Sequence, residues 1–261
     1  EMAALKETGK GKNYVLYTDG TNELVLLKNV RFSFPHYGRK HENKDKDTGK
    51  VRNAWNGVAM LPKSTHEAAH DVLVGVMKKM LEVNDAKVAR ANRFLRDGDN
   101  VEDDIPSEYK DHWYVTFSES ADPGKSGRAP VRPPVRDQFG KLMIDPERGH
   151  DAEYMQAALD LIDEKAYGGC WGNVLVRPWY FNGKAANGET YPKRLLCGYA
   201  GVQLIKTPAG CDDKPFGNGR IDSSGAAWYT SDQDDDDGRG KSKKKVSDEV
   251  EDEISVRMAS T

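Results

Sequence analysis

The chain is short of cysteine, of long apolar runs and of any large excess of charge. Its three cysteines, Cys170, Cys197 and Cys211, are odd in number, far apart and never spaced C-x-x-C. That pattern gives neither a disulfide framework nor a cysteine zinc site, and the three read as reduced thiols. No run approaches the roughly 18 consecutive apolar residues of a membrane span. The opening EMAALKETGKGK also lacks the apolar block of a secretory leader, so an intracellular location with no membrane association is expected. The net charge of -3, from 39 Lys and Arg against 42 Asp and Glu, does not by itself point to a polyanion as partner. What remains is a very polar chain of 261 residues, 37% apolar and 31% charged, with enough apolar content for one sizeable core or two small ones. No internal repeat is present.

Along the chain, YVLYTDGTNELVLL (14–27) reads as a hairpin about Asp19-Gly20. VRFSFPHYG follows as a strand in which alternation turns Phe32 and Phe34 inward. HENKDKDTGK (41–50) is expected to be a charged loop, and RNAWNGVAMLP (52–62) a second strand. A helix is then predicted, with Ser64 and Glu67 as a capping box and Ala69, Val72, Leu73, Val76, Met80 and Leu81 at helical spacing. A short second helix is expected over AKVARANRFL (86–95), and a third strand over His112–Ser118. ADPGKSGRAPVRPP (121–134), carrying Lys125, Arg128 and Arg132, reads as an exposed arm, followed by a small ribbon in VRDQFGKLMI and a helix over 152–164. Strands over 172–182 and 193–206 close the body, and Val174 and Val176 should face inward. Pro178 in the first of these suggests a sheet edge or bulge. The expected fold is mainly β with α: an OB-like, five-stranded, partly open barrel with a helix between strands 2 and 3, extra hairpins and an inserted helix. Its expected divisions are a lead and hairpin (1–26), the OB domain (27–210) and a disordered acidic and basic tail (211–261).

HEAAH at 66–70 satisfies H-E-x-x-H, in which His66 and His70 would bind zinc and Glu67 would activate water. Against a zinc peptidase stand the motif's place in a first turn where Glu67 serves the cap, the acid Asp71 directly after it, and the lack of a third ligand motif downstream. The helix-cap reading is preferred, with no metal or cofactor expected; the peptidase is retained as the alternative, beside a structural protein of the virion.

Aromatic and cationic residues sit together repeatedly: Arg31 with Phe32 and Phe34, Tyr37 before Arg39, Arg52 with Trp55, and Arg177 with Trp179, Tyr180 and Phe181. Single-stranded nucleic acid calls for this mixture, because exposed rings stack on bases at about 1–3 kcal/mol each while cations neutralise phosphates. The candidate stacking residues are Tyr37, Trp55, Trp113, Tyr114, Trp179 and Tyr199. The candidate phosphate contacts are Arg31, Arg52, Arg132, Arg136, Arg177 and Arg194.

The succession LKNVRFSFP, NAWNGVAMLPKS, FLRDGD, YKDHWYVTFS, RPPVRDQFGK, YGGCWGNVLVRPWYFN and LLCGYAGVQLIK resembles, in order and spacing, a family of single-stranded-DNA-binding proteins from tailed bacteriophages. The likeness spans about 27–210; its best markers are Tyr167-Gly168-Gly169-Cys170-Trp171 and the Gly-x-x-x-x-Gln stretch from Gly198 to Ile205. It implies a non-catalytic OB protein that coats single-stranded DNA during phage replication, recombination or repair in the cytoplasm of the infected host. From Ser231 onward ten acidic residues face six basic ones. Such a polyanion can compete for a DNA groove and, once displaced, engage replication or recombination proteins. The ending ISVRMAST departs from the apolar or aromatic terminus such tails carry, which weakens partner capture by the last residues.

Overall fold

The computed structural model describes residues 5–44, 51–100, 105–123, 127, 129–184, 188 and 190–216. Lys125, Arg128 and the tail beyond Phe216 lie outside the described residues. Five long strands carry the architecture: β3 (Glu23–Lys44), β4 (Val51–Pro62), β6 (His112–Ser120), β8 (Trp171–Phe181) and β9 (Arg194–Ile205). Short strands β1 (Lys6–Gly11), β2 (Tyr14–Thr18), β5 (Leu95–Asp97) and β7 (Val135–Arg136) extend the sheet, whose order is β5-β6-β4-β3-β8-β9-β7, with β2 on β3 and β1 on β2. Two helices complete the fold, α1 (Glu67–Val83) between β4 and β5 and α2 (Ala152–Lys165) before β8.

The Asp19-Gly20 turn forms as expected. Asp19 accepts hydrogen bonds from the backbone N–H groups of Thr21 and Asn22 and from the Asn22 side chain, which hold its carboxyl at a pKa of about 2. Beyond it, β3 continues without interruption as far as Lys44, so the expected division at 26/27 falls inside one strand and residues 41–44 are strand, not loop. Two non-glycine residues with positive φ, Asn29 (55°) and Phe34 (48°), mark its bulges. They coincide with the register shifts between Leu27 and Val30 against β8 and between Ser33 and His36 against β4. Each bulge reverses which face the following residues present.

The five long strands curl about a core that includes Val25, Leu27, Phe32, Tyr37, Phe117, Val174, Val176, Leu195 and Tyr199. β6 and β9 approach each other without a ladder among the described residues, as Phe117 and Tyr199 meet with ring centroids 5.0 Å apart. Part of this seam is crossed by the segment before β5, where Arg93 bridges Leu195 in parallel. That segment was expected to be helical over 86–95. Instead only a 3-10 turn forms at Arg90–Asn92, and Leu95–Asp97 pairs with β6. Tertiary pairing of Phe94 and Leu95 with β6 outweighs the helix propensity of AKVARAN.

Helix α1 buries Ala69, Leu73 and Val76 as its spacing predicts, with Met77 beside them, while Val72, Met80 and Leu81 are half-buried. The capping box does not form: the helix begins at Glu67 with His66 as an N-cap that makes no side-chain cap bond. The preceding turn is held instead by Pro62 O, which accepts from both Thr65 N and His66 N. α2 follows its prediction closely, with Asp151 accepting from Tyr154 N as the cap. It docks on β3 at Gly38, where Arg39 bridges Asp160 and Asp163 at 2.5 and 2.8 Å. Pro178 lies past Val176, the last β8 residue paired to β3, so its missing N–H leaves that ladder intact.

Candidate nucleic-acid interface

The β4–β6 ladder sets the floor of an open trough. Opposite residues of an antiparallel pair share a face, and the pairs Asn56–Ser118, Val58–Thr116 and Met60–Tyr114 are three successive rungs of one face. Small side chains at the first two rungs leave a groove of about 590 Å³. Phe34, His36 and His41 of β3 form one wall, and Leu196 and Cys197 of β9 line the other. Phe34 is 40% exposed, contrary to the inward placement that strand alternation predicted, because the bulge at its positive φ turns its side chain out of the core. Phe32, Val174 and Val176 do face inward, at 0% exposure. A bulky ring held open at a strained backbone position is the clearest feature of the groove, and simple alternation could not have found it.

The trough is continuous with the outer face of β8. Leu196 pairs with Trp179, Gly198 with Arg177 and Arg194 with Phe181, so these six residues also lie on one face. Trp179 is 44% exposed and meets Phe181 edge to face at 6.3 Å. Among the sequence-derived stacking candidates it is the open ring. Arg177 beside it donates to Glu119 of β6 at 3.0 Å across the seam. Arg52 is exposed on β4, and Arg194 is half-buried on β9.

The other sequence-derived candidates take different roles. Tyr37 and Tyr199 are sealed in the core, where burial pushes their hydroxyl pKa values up, and Trp55 is buried beneath the Arg132 guanidinium at 5.5 Å. Each strand must bury one face, and these rings occupy it, so they are corrected from stacking residues to core residues. Tyr114 belongs to the trough-side face but is covered by Tyr109 and Phe216. Trp113 is half-buried, with His70 stacked on it at 4.0 Å and the Lys63 amine 5.6 Å from its ring. Arg136 donates to Gly140 O from β7, which pairs at Val202 and Gln203, far along β9 from Leu196. Arg132 is half-buried, and its pKa is lowered by that burial.

Arg31 is taken up by structure. Its guanidinium donates to Gly169 O and Lys214 O, pairs with Asp212, and lies 4.2 Å over the Phe216 ring. The Tyr167–Trp171 marker serves the same segment. Tyr167 Oη donates to Asp213 O, Trp171 Nε1 to Asp212 O, and Phe216 N to Gly168 O. Residues 212–216, expected to begin a disordered tail, are therefore a docked strap, and Phe216 is seated with Met60 and Tyr114 at the end of the trough floor.

The HEAAH histidines are committed elsewhere. His66 is 2% exposed; its Nε2 donates to Lys28 O at 2.9 Å, while Nδ1 accepts from the Thr65 hydroxyl at 2.8 Å. Both ring nitrogens are thereby occupied, and burial lowers the pKa of this imidazole. The expected exposed first turn is in fact a histidine plug joining α1 to β3. His70 stacks on Trp113, with Nδ1 3.1 Å from Asp71. Among the described residues no cluster of three or more His, Cys, Asp or Glu side chains is arranged to hold a metal, and no helix is long and apolar enough to cross a membrane.

Comparison with known proteins places this architecture. A search of curated protein sequences returns no match. The structure of the single-stranded DNA-binding protein from bacteriophage Enc34 in complex with ssDNA aligns at 26% identity and a TM-score of 0.59, covering 82% of this chain and 98% of that one. The same phage protein in a second structure aligns at 26% identity and a TM-score of 0.60, covering 86% of this chain and 99% of that one. Its C-terminal truncation aligns at 26% identity and a TM-score of 0.59, covering 82% and 98%. The sequence profile described as "Enterobacter phage Enc34, ssDNA-binding protein" matches residues 23–237, from the first residue of β3 past the Phe216 strap. The chain thus belongs to the Enc34 single-stranded-DNA-binding protein family.

Proposed function

We propose that this protein is a non-catalytic binder of single-stranded DNA that lays the strand along the β4–β6 trough and onto the outer face of β8 and β9. The observation that carries the reading is the trough itself. Its floor is lined by small side chains at two successive rungs, and Phe34 stands open on one wall. Trp179 stands open beyond the other, paired directly with Leu196. Phe34 and Trp179 are the stacking residues, and Arg52, Arg177 and Arg194 are the phosphate contacts. Arg177 exchanges its Glu119 partner for a phosphate when the strand binds. Family membership and the DNA complex of the Enc34 protein support the ligand class.

An OB-type barrel accounts for the topology. The order β6-β4-β3-β8-β9, with β6 and β9 facing each other across a partly open seam, supports reading these strands as a five-stranded barrel in which β4 and β6 are strands 2 and 3. Oligonucleotide binding on that face is the recurrent use of such barrels. In this reading the protein coats single strands during replication, recombination or repair in the cytoplasm of the infected host, with neither cofactor nor metal. The acidic C-terminal tail competes for the trough until DNA displaces it for other proteins.

The test is tryptophan fluorescence titrated with oligo-dT and with duplex of equal length. Quenching by the single strand alone, reduced in Trp179→Phe, is the expected result; equal response to both forms overturns the proposal.

A further inference from the structure

The arm between β6 and β7 brings back to the sheet a cation that the contacts above leave unused. The chain leaves β6 at Ala121, whose N–H donates to Asn53 O, and rejoins the sheet at Pro134, whose carbonyl accepts from Val202 N of β9. Two residues before that return, Arg132 lays its guanidinium over Trp55, 5.5 Å from the ring centroid. Arg132 Nε is buried with no hydrogen-bond partner among the described residues, and so is Nε1 of the indole it covers. Arg132 as a whole is only half-buried, so the fork is not sealed from solvent. We propose that Arg132 over Trp55 is an anion subsite that takes one backbone phosphate of the single strand at the β4–β6 end of the trough. The inference rests on the DNA-binding reading above and adds to it a phosphate contact on a separate segment of the chain.

A guanidinium keeps its charge at any working pH, so taking it partly out of water without a bonded partner is a standing cost that a ligand or a water must answer. The charged groups about it are already engaged. Burial lowers the pKa of Arg132, while Asp163 of α2 and Tyr199 act to raise it and Arg39 to lower it. Asp163 accepts from Arg39 twice, from its backbone N–H at 3.4 Å and from its guanidinium at 2.8 Å. Burial holds the Tyr199 hydroxyl neutral. Glu119, opposite Trp55 on β6, accepts from Arg177 at 3.0 Å. Asp122, where the arm begins, accepts from the backbone N–H and the side-chain amide of Asn53. Each of these acids is committed to another group, and none bridges Arg132. Position then selects the ligand. The Trp55–Glu119 rung lies between Asn56–Ser118 and Ala54–Ser120, and the β4–β6 ladder ends at the latter, so a strand running off this end of the trough meets the arm. A planar fork laid on an aromatic face is pre-organised for two-point contact with a phosphate.

Affinity, salt slope and stability of the full chain, read together, test the subsite. Arg132→Met removes the charge and keeps a flexible side chain over Trp55. Its Kd for oligo-dT, from fluorescence anisotropy at about 0.1 M salt, should rise about 5- to 30-fold, and its slope of log K against log salt should shrink by about 0.7, the share of one phosphate. Its melting temperature without DNA should hold or rise, because the variant no longer carries a half-buried charge without a bonded partner. Arg132→Lys keeps the charge but loses the fork, so it should weaken binding and preserve the slope. A parent-like Kd and slope in Arg132→Met overturns the subsite and leaves a niche that holds water only. A lowered melting temperature with an unchanged slope overturns it as well, since that pattern marks a purely structural arginine. Tighter binding by Arg132→Met overturns it too, because an acid of the chain itself would then be the occupant. Absence of single-strand binding by the parent removes the DNA reading and this inference together, whereas binding with a parent-like salt slope in Arg132→Met removes this inference alone.

Discussion

Phe34 is the residue on which the stacking argument turns. Its φ of 48° costs a bulky side chain about 1–3 kcal/mol, and at 40% exposure its ring recovers less of this from burial than a core ring would. Phe34→Ala should weaken oligo-dT binding about 5- to 150-fold, the equivalent of one base stack, in an anisotropy titration. Phe34→Gly should weaken it equally yet melt higher than Phe34→Ala, because glycine adopts positive φ without strain. Tyr199 tests the opposite assignment. Its hydroxyl is buried with no hydrogen-bond partner among the described residues, so Tyr199→Phe should leave affinity unchanged and hold stability or raise it by about 1 kcal/mol in chemical denaturation. The sequence shows which aromatics stand beside cations but not which face they take. Alternation places Phe32 correctly and fails at Phe34 because a bulge, invisible in a run such as RFSFPH, reverses the parity of the strand.

At the scale of elements, the strands over 112–118, 172–182 and 193–206 and the helix over 152–164 were legible within a few residues, since long periodic runs leave little choice of structure. The 86–95 segment was not, because its state is decided by β6 and β9 partners remote in sequence. The β1 strand escaped for a related reason: KETGKG has no apolar face, and only pairing with β2 makes it a strand. The strap depends on a single backbone position. Gly169 has φ of 110°, and a Cβ there would meet Lys214 O at 2.7 Å. Gly169→Ala should therefore cost about 1–3 kcal/mol. In hydrogen exchange it should also strip protection from the Phe216 amide, whose partner is Gly168 O at 2.7 Å. Retained protection at Phe216 would mean that the strap is held by its side-chain contacts alone.

The whole molecule carries nearly balanced charge, so in the proposed reading its attraction for a polyanion is local to the trough and to the exposed arginines of β4 and β8. Affinity for single strands should fall with added salt, log K changing by about -0.7 per phosphate neutralised per tenfold rise in salt. A flat response would exclude Arg52, Arg177 and Arg194 as phosphate contacts. Ending the chain after Phe216 removes the acid-rich segment, and binding should tighten about threefold or more at low salt, with the difference closing as salt screens the competition. Net composition could not reveal this arrangement, because the opposing charges lie on different parts of one chain. The seat of Phe216 on the Met60–Tyr114 rung has a practical corollary. A purification handle or dye attached directly after Phe216 would start beside this rung at the end of the proposed trough, so binding measurements call for attachment ahead of β1, whose strand neighbour among the described residues is β2.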